Sequence, residues 1–422
     1  MEWTRRAFMK GSGLALFSAS FGGTPLFLSK AADAANNPMA HGRRKTLVTI
    51  FQRGAMDGLM AVTPFNDPAL AEARPNLFMS LTDLENKLTD LDGRFALHPS
   101  LMEMAPFYKE GRMAIVHGIG SPNKTRSHFD AQDYMETGTP DIKGTRTGWL
   151  NRAVGLLGHE GTPFRSVALT KALPRSFYGK VPSIAVNDLR SFGIQVPGNP
   201  QSADQVGAGF EAMYARSAKR LVQKVSGETF DAIEMLEKVD LKNYKPAEGV
   251  EYPNSQLGRR LQQIAMLVKA NVGLEVAFTE TGGWDTHVQQ GTTAGSFTNK
   301  ATDLSKSIAA FWNDLGTHQD DVVLMTMTEF GRTVHQNGSM GTDHGRGSCL
   351  FLLGNNVAGG KVYGDVPETL VRDALEDRRD LPVTTDFRSV FSEVAGKHLN
   401  VDRSHDNALF PGWTGERLKL MT

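Results

Sequence analysis

Asp and His recur at close spacing in two places along this chain, Asp285-Thr286-His287 and Asp343-His344. Asp57, Ser127, His128 and Glu329 stand apart from them, with Arg53, Arg126 and Arg332 nearby in sequence. Carboxylates mixed with imidazoles suit a hard or borderline divalent cation such as Zn, Mn or Mg. Without a cation, that many acids gathered in one place would repel one another. Guanidinium groups meet a phosphate or sulfate through two parallel hydrogen bonds. Together these are the parts of a metal-dependent ester hydrolase, in which an ion activates a nucleophile and holds the leaving oxygen.

Several candidates have a plainer job available. Asp57 lies between Gly54 and Gly58, and either points across a sheet edge or caps the next segment. Ser127, with Asp130 three residues on, fits a helix start. A hydroxyl there serves as a cap or, in the positive potential of the helix end, as a nucleophile. His128 reads as a ligand, a base or a hydrogen-bonding partner of its loop.

The elements that must position these residues are legible as short apolar runs. Residues 322–327 read as a buried strand ending in Thr328-Glu329, with Gly331-Arg332 next. Residues 274–278 read as a strand running into the Asp285 loop, 46–51 as a strand leading to Asp57, and 113–116 as one leading to Ser127 and His128. Further strands are predicted at 165–169 and 349–353. Leu257, Leu261, Ile264 and Val268 mark an amphipathic helix, and Leu304, Ile308, Phe311 and Leu315 another. Helical patterns also cover 99–111, 210–239 and 386–398. Helix alternating with strand is the parallel βαβ pattern, so the expected class is α/β, with ligands at the carboxyl ends of the strands. The Pro- and Gly-rich stretch 174–209 reads as an insertion or lid and 241–253 as a polar linker, together an insertion at about 172–253.

The chain has 422 residues, and its 46 Lys+Arg balance its 46 Asp+Glu. That neutrality excludes general nucleic-acid binding, which needs a basic face. A single cysteine, Cys349, excludes an intramolecular disulfide. Thr4-Arg5-Arg6-Ala7-Phe8-Met9-Lys10 is a twin-arginine export pattern. An apolar stretch follows, broken by Ser18, Ser20, Gly22, Gly23 and Pro25, and then Ala32-Asp33-Ala34 as a cleavage site. The expectation is a leader over 1–34 engaging the twin-arginine translocase and one periplasmic or extracellular domain over 35–422, with no stable membrane span after cleavage.

Five strings carry a resemblance: RGAMDGL at 53–59, TRSHFDAQ at 125–132, GGWDTH at 282–287, TEFGRT at 328–333 and GTDHGRG at 341–347. In this order they resemble the exported bacterial family known as domain of unknown function 1501, itself distantly similar to alkaline phosphatases and sulfatases. The resemblance implies a three-layer αβα sandwich with a mostly parallel sheet and a metal site at the strand ends. It implies metal ligands at Asp57, Asp285, His287, Glu329 and His344, with the Asp343-His344 pair as an alternative register to Glu329. It also implies a nucleophile at Ser127 or Thr125 beside His128, and an anion clamp at Arg332. Phe330 departs from the superfamily pattern, because phenylalanine cannot ligate. The activity implied is hydrolysis of phosphate or sulfate esters on an anionic small molecule or glycan. The alternative is a non-catalytic derivative that binds a glycan or protein partner.

Overall fold

A computed structural model describes residues 14–15, 43–82, 87–189 and 243–422. Its centre is a sheet whose main strands are β1 (Thr46–Arg53), β2 (Met113–Gly120), β3 (Ser166–Leu169), β4 (Ile184–Val186), β5 (Val276–Gly282) and β6 (Val322–Met327). A hairpin, β7 (Arg332–Gln336) and β8 (Thr342–His344), then leads to β9 (Ser348–Leu353) and β10 (Lys361–Tyr363). The order across the sheet is β4-β3-β5-β1-β6-β9-β2-β10, with a two-residue strand, Leu14–Ala15, beside β4. Neighbours from β4 to β6 run parallel, and β9 is antiparallel to both β6 and β2.

Every residue of β6 is buried, as a strand covered on both faces requires. Alternate residues of β1 feed different layers: Val48 and Ile50 one, Leu47 and Phe51 the other. The first layer packs on α3 (Gln256–Lys269) and α4 (Ser296–Leu315) through Leu261, Ile264, Ile308 and Phe311. The second packs on α2 (Trp149–Gly155) and α5 (Phe387–Lys397) through Trp149, Val390 and Phe391. The result is the expected αβα sandwich. No helix among the described residues is long and apolar enough to cross a membrane.

The sequence-predicted strands all form, most of them longer than expected. The stripe at 99–111 becomes a 3-10 turn, Pro99–Met104, followed by a short helix, Ala105–Lys109. The helix expected over 210–239 lies outside the described residues. Two expectations for 172–253 change. Ile184–Val186 belongs to the sheet rather than to a lid, and the stretch read as a polar linker is firmly tied down. Asp314 on α4 accepts from Tyr244 Oη at 2.6 Å, Tyr252 Oη at 2.8 Å, Ala247 N at 2.8 Å and Lys269 Nζ at 2.8 Å.

The sheet gathers its loops at one edge. β1, β5 and β6 are adjacent and parallel, so their carboxyl ends emerge side by side. The 54–57 turn, the 283–290 loop and Thr328-Glu329 therefore meet. The helix α1 (His128–Thr137), which follows β2, arrives at the same edge capped by Ser127. Gly54 marks the tightest contact, at φ +115°, where a β-carbon would sit 2.6 Å from Asp285 N. Gly54→Ala is therefore expected to lower stability by at least about 1–3 kcal/mol, through a disfavoured backbone and a clash with backbone. Thermal or urea denaturation against the wild type measures it, and an unchanged midpoint would show that the edge is looser than described.

Candidate metal centre

Three imidazoles converge at that edge. His128 arrives as the first residue of α1, His287 on the loop after β5, and His344 at the end of the β7–β8 hairpin. His344 Nε2 lies 3.0 Å from His128 Nε2 and 2.9 Å from His287 Nε2. Asp285 Oδ1 stands 3.1 Å from His344 Nε2 and 3.0 Å from His287 Nε2, and its Oδ2 stands 3.4 Å from His128 Nε2.

The other nitrogen of each ring is already committed. His128 Nδ1 meets Glu329 Oε1 at 2.8 Å, His287 Nδ1 meets Asp343 Oδ1 at 2.9 Å, and His344 Nδ1 meets the Arg126 carbonyl at 2.8 Å. These partners only accept, so each ring carries its proton on Nδ1 and aims an Nε2 lone pair at the others. Lone pairs facing at this distance repel unless a proton or a cation lies between them. Adjacent ligands about 2.0–2.2 Å from one ion stand roughly 2.8–3.6 Å apart, which is the spacing found here. His128, Asp285 and His344 each offer a ligand atom within 4.8 Å of the others, and His287 adjoins two of them. The donor set fits a divalent ion. Two imidazole nitrogens beside a carboxylate, with His287 adjoining, favour zinc or another borderline metal over magnesium, which prefers oxygen.

The support around the rings is complete. Glu329, at the end of β6, is wholly buried, and its Oε1 accepts from Gly54 N at 2.9 Å, Gln132 Nε2 at 2.8 Å and His128. Burial alone would raise its pKa, but these bonds, led by His128, hold it below the ordinary carboxylate value. Asp285 is likewise held low against burial by Arg332, whose Nη1 donates to Oδ1 at 2.6 Å. Arg332 also donates to the Thr342 hydroxyl, at 3.2 Å, and to the Thr342 carbonyl. Phe330 lies beneath the rings, 4.9 Å from His128 and 5.2 Å from His344 between centroids. The hairpin docks on the 285–290 loop through Thr342 N to Thr286 O at 3.1 Å, with Gly341 so close that a β-carbon would meet His287 C at 2.3 Å.

Of the sequence-predicted residues, the structure gathers His128, Asp285, His287, Glu329, Arg332, Asp343 and His344. Glu329 and Asp343 sit behind the rings, as partners of their Nδ1 atoms. Arg332 is buried against Asp285 rather than open to an anion. Asp57 is not at the centre. It caps the turn at Gly58 through Met60 N, pairs with buried Arg74 at 2.8 Å, and accepts from Gln290 Nε2 at 2.7 Å. Gln290 Oε1 in turn accepts from Thr286 and Thr342, so Asp57 braces the centre from behind. Ser127 caps α1 through Asp130 N at 3.5 Å, and its own N–H is taken by Thr125 Oγ1 at 3.2 Å. Gln132, Gln290 and Asn337, which donates to Asp343 Oδ1 at 3.0 Å, were not among the expected residues. Only Gln132 carried a signal, lying four residues after His128 on one helix face.

Residues 44–409 match the family model described as "Protein of unknown function (DUF1501)". A search of the curated proteins finds no match. Among solved structures, the chain is similar to a sulfatase from Pseudoalteromonas sp., with a TM-score of 0.35 and 9% identity over 81% of this chain and 70% of that one. It is also similar to a protein from Pyrococcus horikoshii, with a TM-score of 0.25 and 12% identity over 74% of this chain and 86% of that one.

Two outcomes follow from the geometry. Asp57→Ala should cost about 3–5 kcal/mol by stranding buried Arg74, yet leave metal stoichiometry unchanged, as denaturation and elemental analysis would show. A loss of the ion would instead make Asp57 a ligand. The second outcome concerns pH. The Glu329 hydrogen bond, against burial, raises the pKa of His128, whereas burial and then the His128 charge lower that of His344. In metal-free protein the stabilisation from the His128–Glu329 pair is full below about pH 6.5 and is lost as pH rises through the raised value. An ion must displace that proton, so metal affinity should climb over the same interval. Calorimetric titration across pH 5–8 tests this, and a flat profile would contradict it.

Proposed function

The chain belongs to the DUF1501 family, and from the convergence of three imidazole Nε2 atoms on Asp285 we propose that it is an exported, metal-dependent hydrolase of phosphate or sulfate esters. The observation that carries this reading is the set of 2.9–3.1 Å contacts among His128, His287, His344 and Asp285. When bound, the ion would supply a Lewis acid and lower the pKa of a water molecule toward neutrality.

The chain's own residues do the rest. Glu329, Asp343 and the Arg126 carbonyl hold each imidazole in one tautomer. Arg332 keeps the Asp285 carboxylate ionised and fixed in direction. The centre is most exposed on the side of Asp285, His287 and Asp343, whose side chains are 41%, 38% and 50% exposed, whereas that of Glu329 is 0% exposed. Substrate enters from that side. Asp343 commits Oδ1 to His287 and Asn337, and its ionised carboxylate strengthens His287 as a donor from behind the ring. Ser127 serves as a cap in this scheme, so the nucleophile is water rather than a serine hydroxyl. The twin-arginine leader supports export of the folded protein.

Purified protein loaded with zinc or manganese should hydrolyse 4-nitrophenyl phosphate or sulfate and lose that activity to a chelator. Asp285→Ala should abolish both metal binding and turnover, and Asp343→Asn should weaken metal binding about 10–100-fold by loosening His287. Ser127→Ala should keep most of the activity. Turnover that survives chelation, or that vanishes in Ser127→Ala, would end this scheme. Arg5→Lys with Arg6→Lys should retain precursor in the cytoplasm on fractionation. The engagement of Arg332 and Ser127 in structural contacts favours one second reading, a non-catalytic binder, for which the chain would take up metal and hydrolyse none of these esters.

A further inference from the structure

Residues 128, 132 and 136 stand four apart on α1 and so line one face of it. That face meets the strand ends through a line of polar groups. His128 Nδ1 and Gln132 Nε2 both reach Glu329 Oε1, each at 2.8 Å. Arg53, the last residue of β1, continues the line. Its Nη1 donates to Gln132 Oε1 at 2.9 Å, its Nη2 to Glu136 Oε1 at 2.9 Å, and its Nε to Glu280 Oε2 on β5 at 2.5 Å. Glu136 Oε2 is fixed in turn by Ser176 N at 2.9 Å and Ser176 Oγ at 3.1 Å.

The Gln132 amide has one admissible orientation here. A carboxylate can only accept, so Glu329 requires the amide NH₂, and a guanidinium can only donate, so Arg53 requires the amide oxygen. Reversing the amide would break both bonds. Arg53 therefore sets the amide, the amide sets Glu329, and Glu329 sets the ring of His128. Arg53 also binds two successive turns of α1, and its guanidinium lies over the Phe51 ring, 4.4 Å from the centroid. A planar fork with donors in three directions makes all these contacts at once, which an ammonium cannot.

We propose that Arg53 and Gln132 are positioning residues of the metal centre, Arg53 docking α1 on the strand ends and Gln132 transmitting that docking to the direction of His128 Nε2. This rests on the metal-centre reading. The test uses the full chain as Arg53→Lys, Gln132→Met and the double variant, with zinc affinity by calorimetry and amide exchange of α1 in the metal-free state. Each single variant should weaken zinc binding about 10–100-fold. The double should lose no more than the larger single loss, because both act through one chain of bonds. The α1 amides should exchange faster in Arg53→Lys. Unchanged zinc affinity in Gln132→Met, or additive losses in the double, would overturn the proposal. Should Arg53→Lys fail to fold, Gln132→Met carries the test alone. Wild type that takes up no zinc would defeat the metal-centre reading itself, and α1 exchange would then decide the docking role separately.

Discussion

The sheet edge answers to one electrostatic constraint, that imidazole lone pairs have been brought face to face, His344 against both His128 and His287. Left alone, such rings would turn away or trade protons. They are kept in place because the opposite nitrogen of each is bound to a group that can only accept. Two of those groups are carboxylates, one fully buried and one half exposed, and the third is a backbone carbonyl. Asp285 adds a fourth donor whose direction is fixed by a buried guanidinium. Such an arrangement is costly as apo-protein and favourable with a cation in it.

Burying Glu329 is a large electrostatic commitment, and it explains the local sequence. An ionised carboxylate removed from water needs several hydrogen-bond donors. Gly54 supplies one because its backbone can approach where no side chain would fit. Gln132 and His128 supply two more from one helix face, and Thr328 meets the second oxygen at 3.1 Å. The Asp57–Arg74 pair repeats this logic one layer back, tied to the hairpin through Gln290. Two buried anions, one held by an imidazole and an amide and the other by a guanidinium and an amide, therefore brace the loops from below.

Much of this was legible in the sequence. Continuous apolar runs marked the buried strands, and three-to-four spacing marked α3, α4 and α5. The α/β class followed from their alternation, and the three-layer αβα sandwich from the family resemblance. Asp285, His287, His128 and His344 stood out by type, and their placement after strands gave them a shared edge. What could not be read was the division between groups that face an ion and groups that stand behind it. Asp57 and Glu329 are equally plausible ligands by spacing, and only three-dimensional pairing shows that each is already occupied. The β7–β8 hairpin was hidden because Arg332–Gln336 carries no apolar run. Its pairing is decided by docking on the 285–290 loop, a contact between distant segments that local pattern does not encode.

The anchoring of the 172–253 region has a wider consequence. Leu189 N is held by Gln263 Oε1 on α3 at 2.7 Å, while Tyr244, Ala247 and Tyr252 are held by Asp314 on α4. Residues 189 and 244–252 are thus fastened to the same helical layer. Closing a longer or shorter span between fixed points changes the free energy only slowly with length. A change of length between residues 189 and 244 is therefore expected to cost little stability so long as Leu189, Tyr244 and Tyr252 keep these partners.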